Sequence, residues 1–91
     1  MAIIITYDIP SKHVEFKKEM FQLGYKDQIP GENCKIIYFP NTTLYHATKE
    51  AGAARDEAKS ICKKLDIELE RCIATQWGPN WAAVCGEPFK Q

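Results

Sequence analysis

Asp8 is the residue on which chemistry would turn. A run of β-branched side chains, Ile3-Ile4-Ile5-Thr6, leads through Tyr7 to this carboxylate and ends at Ile9-Pro10, which is how a buried strand reads. A carboxylate at a strand's C-terminal end is a hard oxygen donor suited to Mg²⁺ or Mn²⁺. One carboxylate per chain is an incomplete site. A homodimer that faces two Asp8 side chains across its two-fold axis would complete it. The structural alternative is an Asp that caps the following helix or closes the strand. His13 lies on the apolar stripe of that helix, in its first turn. Paired with Asp8 it would serve acid–base catalysis; otherwise it is a core-edge histidine with one hydrogen bond. Thr42, Thr43, Tyr45 and His46 gather hydroxyls and an imidazole in one stretch, a set able to contact phosphate or substrate. Trp77 and Trp81 flank Gly78-Pro79-Asn80. They are expected to pack against each other or a neighbouring subunit, since tryptophans anchor interfaces.

The elements that must position these residues follow from periodicity. In the first strand Ile3, Ile5, Tyr7 and Ile9 face one way, and Ile4, Thr6 and Asp8 the other. Ser11 offers a helix cap, and residues 12–23 carry His13, Val14, Phe16, Lys17, Met20, Phe21 and Leu23 on one stripe, ended by Gly24. Residues 25–29 read as a short strand, 30–33 as a turn and 34–39 as a second arm of a hairpin. Residues 40–46 fit a continued strand, a further short strand or an ordered loop. Thr48 can cap a second helix reaching about Leu65, with Ala51, Ala54, Ala58, Ile61, Cys62 and Leu65 on one face. Residues 67–75 alternate as a strand, with Ile67, Leu69 and Ile73 inward, and 81–85 fit a last short strand. The order β-α-β-β-α-β is that of the ferredoxin-like α+β fold, two helices on one face of an antiparallel sheet, with a C-terminal addition.

Ninety-one residues, 45% hydrophobic and 26% charged, suit one domain, residues 1–91. Twelve basic residues balance twelve acidic ones, five of each sign in residues 1–47 and seven of each in 48–91. No arm or tail is strongly basic, so a nucleic-acid surface would have to assemble in the fold or across a dimer. No segment has the length of a membrane span or the layout of a signal peptide, and the chain is expected to be cytoplasmic. Cys34, Cys62, Cys72 and Cys85 lack zinc-site spacing. Each is expected as a reduced thiol packed as a small hydrophobe.

The opening Ile5-Thr6-Tyr7-Asp8-Ile9, set in a chain of this topology, resembles the smaller, dimeric CRISPR adaptation subunit and its relatives, the VapD-like toxins and the GhoS-type antitoxin endoribonuclease. In that group a Tyr-Asp or similar pair closes the first strand, and the Asp is the proposed metal ligand at the dimer interface. The resemblance implies a homodimer, Mg or Mn at Asp8, RNA or DNA as substrate or partner, and endonuclease or toxin–antitoxin activity. The arginines that follow the aspartate in the family are replaced here by Lys12, His13, Lys17 and Lys18. The competing expectation is a non-catalytic dimeric module that regulates a protein partner; a third is a small-ligand sensor binding between subunits.

Overall fold

A computed structural model describes residues 1–88. Its elements are β1 (Ile3–Asp8), α1 (His13–Gln22), β2 (Gln28–Pro30), β3 (Ile36–Tyr38), β4 (Thr43–His46), α2 (Ala51–Lys64) and β5 (Arg71–Gln76). All strand pairings are antiparallel: β1 lies between β4 and β5, and β2 pairs with β3 in a separate ribbon. Lys26 joins the ribbon's base to the larger sheet, exchanging two backbone hydrogen bonds of 2.8 Å with Tyr45 on the outer edge of β4. The chain is therefore a small α+β protein with two helices and five strands among its described residues.

β1 follows the expected alternation. Ile3, Ile5, Tyr7 and Ile9 are buried, while Thr6 is exposed and Ile4 and Asp8 are half-buried. Register carries this division to the neighbours: Leu44 and His46 of β4 and Cys72, Ala74 and Gln76 of β5 share the Ile3–Ile5–Tyr7 face. That face meets the helices. Tyr7 and Phe16 bring their rings to 4.5 Å, and Ala54, Ala58, Ile61 and Cys62 form the buried stripe of α2. The two alanines leave room for α2 to approach the sheet closely.

Several local expectations are corrected. Of the alternatives open for 40–46 the further short strand holds, as β4 over Thr43–His46, while the expected strand at 81–85 has no regular structure. Ile73 does not point inward; it is 67% exposed. Inward positions run Ile67, Leu69, Cys72, Ala74, so the alternation slips by one residue where the chain enters β5, after the Glu70 N–H bonds to the Asp8 carbonyl at 2.9 Å. Neither helix has a side-chain N-cap: the cap positions are Lys12, left-handed at φ 59°, and Glu50, not Ser11 and Thr48. Cys34 and Cys85 are joined in a disulfide, and only Cys62 and Cys72 are free thiols among the described residues.

Lys17 is buried, its Nζ 4.0 Å from the Asp27 carboxylate. Burial pushes its ammonium down from the ordinary lysine value, and Asp27 offsets part of that. Burial, with a further push from Asp27, holds the Tyr7 phenol well above its usual range.

The register predicts two unequal truncations of aliphatic side chains. Leu44→Ala should cost about 2–5 kcal/mol, the usual result of emptying a core site, whereas Ile73→Ala should stay within about 0.5 kcal/mol, as surface changes do. Urea unfolding of both variants measures the contrast, and equal costs would contradict the assigned faces.

Candidate functional site

Asp8 ends β1 on the sheet face away from the helices, with its side chain half exposed. Its Oδ2 accepts a 2.6 Å hydrogen bond from Arg71 Nε on the directly opposed residue of β5. Arg71 also approaches Glu70 at 3.8 Å. The hydrogen bond to Asp8 holds the guanidinium even further above its usual range. Cross-strand pairs of opposite charge support a sheet modestly, and here the pair occupies one of the two Asp8 oxygens. No hydrogen bond joins His13 to Asp8 among the described residues, so the anticipated His–Asp pair is replaced by Arg–Asp. Nor do any three His, Cys, Asp or Glu side chains cluster as a metal site among the described residues. A Mg or Mn ion at Asp8 would share the carboxylate with Arg71, which holds Oδ2, and would need further ligands from a second copy; one chain's donor set does not fit it.

The polar stretch 42–46 is divided by the strand it forms. Thr43 sits opposite Thr6 near the Asp8 end, their hydroxyl oxygens 3.4 Å apart, and the Thr42 carbonyl accepts from the Tyr7 N–H at 3.0 Å. His46 sits opposite Ile3 at the other end of β1, roughly 17 Å from Asp8 at the usual strand rise. Both of its ring nitrogens are engaged. Nδ1 accepts from the Thr48 and Lys49 N–H groups, each at 3.2 Å, which leaves Nε2 to donate to the Leu23 carbonyl at 3.0 Å. This imidazole fixes the turn that leads into α2, just ahead of the helix's cap position Glu50. Gly24 makes room for it: φ is +95°, and a Cβ there would lie 2.9 Å from Nε2.

Around His46 the structure builds a polar group that no sequence pattern marks. The edge of the Tyr25 ring meets the imidazole at 4.8 Å. The Tyr25 hydroxyl donates to Glu57 at 2.7 Å, and Lys49 pairs with the other Glu57 oxygen at 3.0 Å. Burial raises the Glu57 carboxyl, but the Tyr25 and Lys49 hydrogen bonds outweigh it and hold the group below its ordinary value. No motif announces this set, because its members come from separate parts of the chain.

Trp77 and Trp81 do pack together, rings 4.8 Å apart. Trp77 also meets Phe39 at 5.7 Å and Tyr45 at 6.3 Å, an aromatic group at the end of the open face away from Asp8. That face otherwise presents Ile4, Thr6, Thr43, Ile73 and Thr75, with the Asp8–Arg71 pair as its charged end.

The feature of greatest electrostatic interest lies along the flank of α2. Arg55, Lys59 and Lys63 recur every fourth residue, one position past the buried Ala54, Ala58 and Cys62, so they run as a ridge beside the buried stripe. With Arg71 they line a cleft of about 650 Å³ between α2 and β5, floored by Cys62, Leu69 and Cys72. Arg55 is paired with Asp56 and Arg71 with Asp8, while Lys59 and Lys63 form no ion pair among the described residues. Burial raises the Cys72 thiol, and Arg55 partly opposes it. A chain of zero formal charge thus sets three cations along one ridge beside a cleft that Arg71 and Glu70 also line, the Arg71 guanidinium being held by Asp8 on the open face. The four-residue spacing was the available signal in the sequence.

The Glu57 network predicts a specific acid limb. A carboxyl held low in the folded state stabilises it above the unfolded-state value near 4.5. That stabilisation is lost as pH falls through the lower folded-state value. Wild type should lose stability faster than Glu57→Gln as pH falls from about 4.5 to the lowered folded-state value, the two slopes converging below it, and the variant should be less stable at pH 7 by about 0.5–1 kcal/mol. Chemical denaturation across acid to neutral pH measures both.

Comparison with known proteins found no matching family model, no matching curated protein and no matching solved structure.

Proposed function

We propose that this chain is a small nucleic-acid-associated protein of ferredoxin-like type that acts as a homodimer and grips a phosphate backbone in the cleft between α2 and β5. The cationic ridge carries the reading. Arg55, Lys59 and Lys63 follow one another along the rim of this cleft, which Glu70 also lines, and Lys59 and Lys63 are the two without an ion pair among the described residues; local charge rather than net charge captures a polyanion. The fold type is supported by the antiparallel order β4-β1-β5 with Lys26 bridging outside β4, which has the form of a split β-α-β arrangement. The homodimer is supported by the open face, where Ile4 and the well exposed Ile73 stand among threonines.

A second reading, a non-catalytic module that joins protein to protein, is favoured by that same uncovered face: low in charge and flanked by tryptophans, it has the composition of an interface centre. In the nucleic-acid reading Asp8 is an accessible carboxylate on a second surface. Catalysis there requires a dimer to supply the remaining metal ligands.

Anisotropy of labelled single-stranded RNA and DNA tests the proposal. The double variant Lys59→Glu/Lys63→Glu should weaken binding to every sequence. It should also reduce the slope of log affinity against log salt by about 2, roughly one unit for each phosphate no longer neutralised. Unchanged affinity in the variant would refute the cleft as the binding surface. Absence of binding by wild type, together with a concentration-dependent dimer abolished by Ile73→Lys, would establish the interaction module instead. In a parallel assay with Mg²⁺ or Mn²⁺, Asp8→Asn should remove any metal-dependent cleavage.

A further inference from the structure

After Trp77 the chain makes no further regular structure among the described residues, and every one of them from Gly78 to Pro88 is exposed. The segment nevertheless has a defined seat. The Tyr38 N–H points away from β2 and donates to the Cys85 carbonyl at 2.9 Å, so Cys85 lies along the outer edge of β3. Gly86 adopts φ +75°, and a Cβ there would come within 3.1 Å of the Tyr38 carbonyl oxygen. Only glycine accepts both the dihedral and the approach. The Cys34–Cys85 disulfide spans 51 positions and fixes the segment to the turn between β2 and β3. Beyond the Trp81 ring on Trp77, packing in this attachment is loose. A cleft of about 650 Å³ remains between the segment and the hairpin, lined among others by Pro30, Asn33, Pro79 and Val84. Val84 is 82% exposed. The core cluster beneath the helices includes neither bridged cysteine.

We propose that Cys34–Cys85 is a redox-operated clasp: oxidised, it seats residues 78–88 on the edge of β3; reduced, it releases them while the α/β core stays folded. Cys85 is exposed and Cys34 half-buried, so a reductant reaches the bond without prior unfolding. The thiolate of a low-molecular-weight thiol attacks one sulfur and expels the other as a thiolate. A second thiolate then resolves the mixed disulfide. Two electrons pass to the protein, which gains two thiols after protonation, and the reductant leaves as its own disulfide. Release uncovers the outward N–H of Tyr38 and takes the Trp81 ring off Trp77. An uncovered strand edge is a template for added strands, so the oxidation state of one bond sets whether that edge is available. The inference is independent of the nucleic-acid reading.

The full chain, purified without reductant, tests it through hydrogen exchange, thiol titration after denaturation and tryptophan fluorescence. Two thiols should titrate before treatment with a dithiol reductant and four after it. Reduction should speed exchange at the Tyr38 amide by roughly tenfold or more, the mark of a local opening. Ile5 and Leu44 should keep their protection, and tryptophan emission should change. Cys34→Ser/Cys85→Ser should behave as the reduced protein under both conditions. Three results would each overturn the clasp: four thiols in the untreated protein, unchanged Tyr38 exchange on reduction, or simultaneous loss of protection at Ile5 and Leu44. The last would make the bridge a staple of the whole fold.

Discussion

The arrangement depends on β1 being hydrogen-bonded along both edges and covered on one face. Its partners β4 and β5 take their register from it, and through register they inherit its division into a helix side and an open side. A shift of one residue in β1 would invert all three strands at once. The isoleucines at positions 3 and 5 and the tyrosine at 7 resist that shift, since exposing them would surrender several kcal/mol of apolar burial. Asp8 and Arg71 confront each other for the same reason: they occupy opposed positions on the side that the core does not claim.

The charges show how weakly composition constrains a surface. Acidic and basic residues balance in each half of the chain, yet their placement does not. Acidic partners take up Arg55, Arg71, Lys49 and Lys64. Lys59 and Lys63 remain on one flank of α2, beside Arg55 and along the rim of the cleft that separates α2 from β5. A four-residue repeat on a helix becomes a continuous ridge only because Ala54, Ala58 and Cys62 fix which side of α2 is buried.

Much of the fold was legible because β1 and the two helices announce themselves through strong local periodicity. The alternation of Ile3–Ile9 and the alanine stripe of α2 predict their burial directly. Strand β5 misled, since Ile67 and Leu69 set a phase that the chain abandons before Cys72. The disulfide was hidden for a different reason. Cys34 and Cys85 are 51 positions apart and carry no spacing motif, so only the path of the irregular C-terminal segment brings them together. The site was legible in part. Asp8 and the tryptophan pair stand where their sequence context suggested, but His46 belongs to the helix side, held by Leu23, Thr48 and Lys49. Arg71, Glu57 and Tyr25 owe their roles to contacts made across the fold, which single-residue chemistry does not foretell.

The segments on either side of α2 are held by groups from elsewhere in the chain. Ahead of the helix His46 takes the N–H groups of Thr48 and Lys49, and at its exit the Lys12 ammonium donates to the Leu65 carbonyl at 2.8 Å. Lys12 does so from a left-handed backbone that ordinary side chains avoid. Helix nucleation is unfavourable in a short isolated segment, and α2 has no side-chain cap of its own to lower that barrier. Its helicity therefore rests on tertiary contacts: β4 supplies the imidazole that holds the turn ahead of it, and the Pro10–Lys12 turn supplies the ammonium at its final carbonyl.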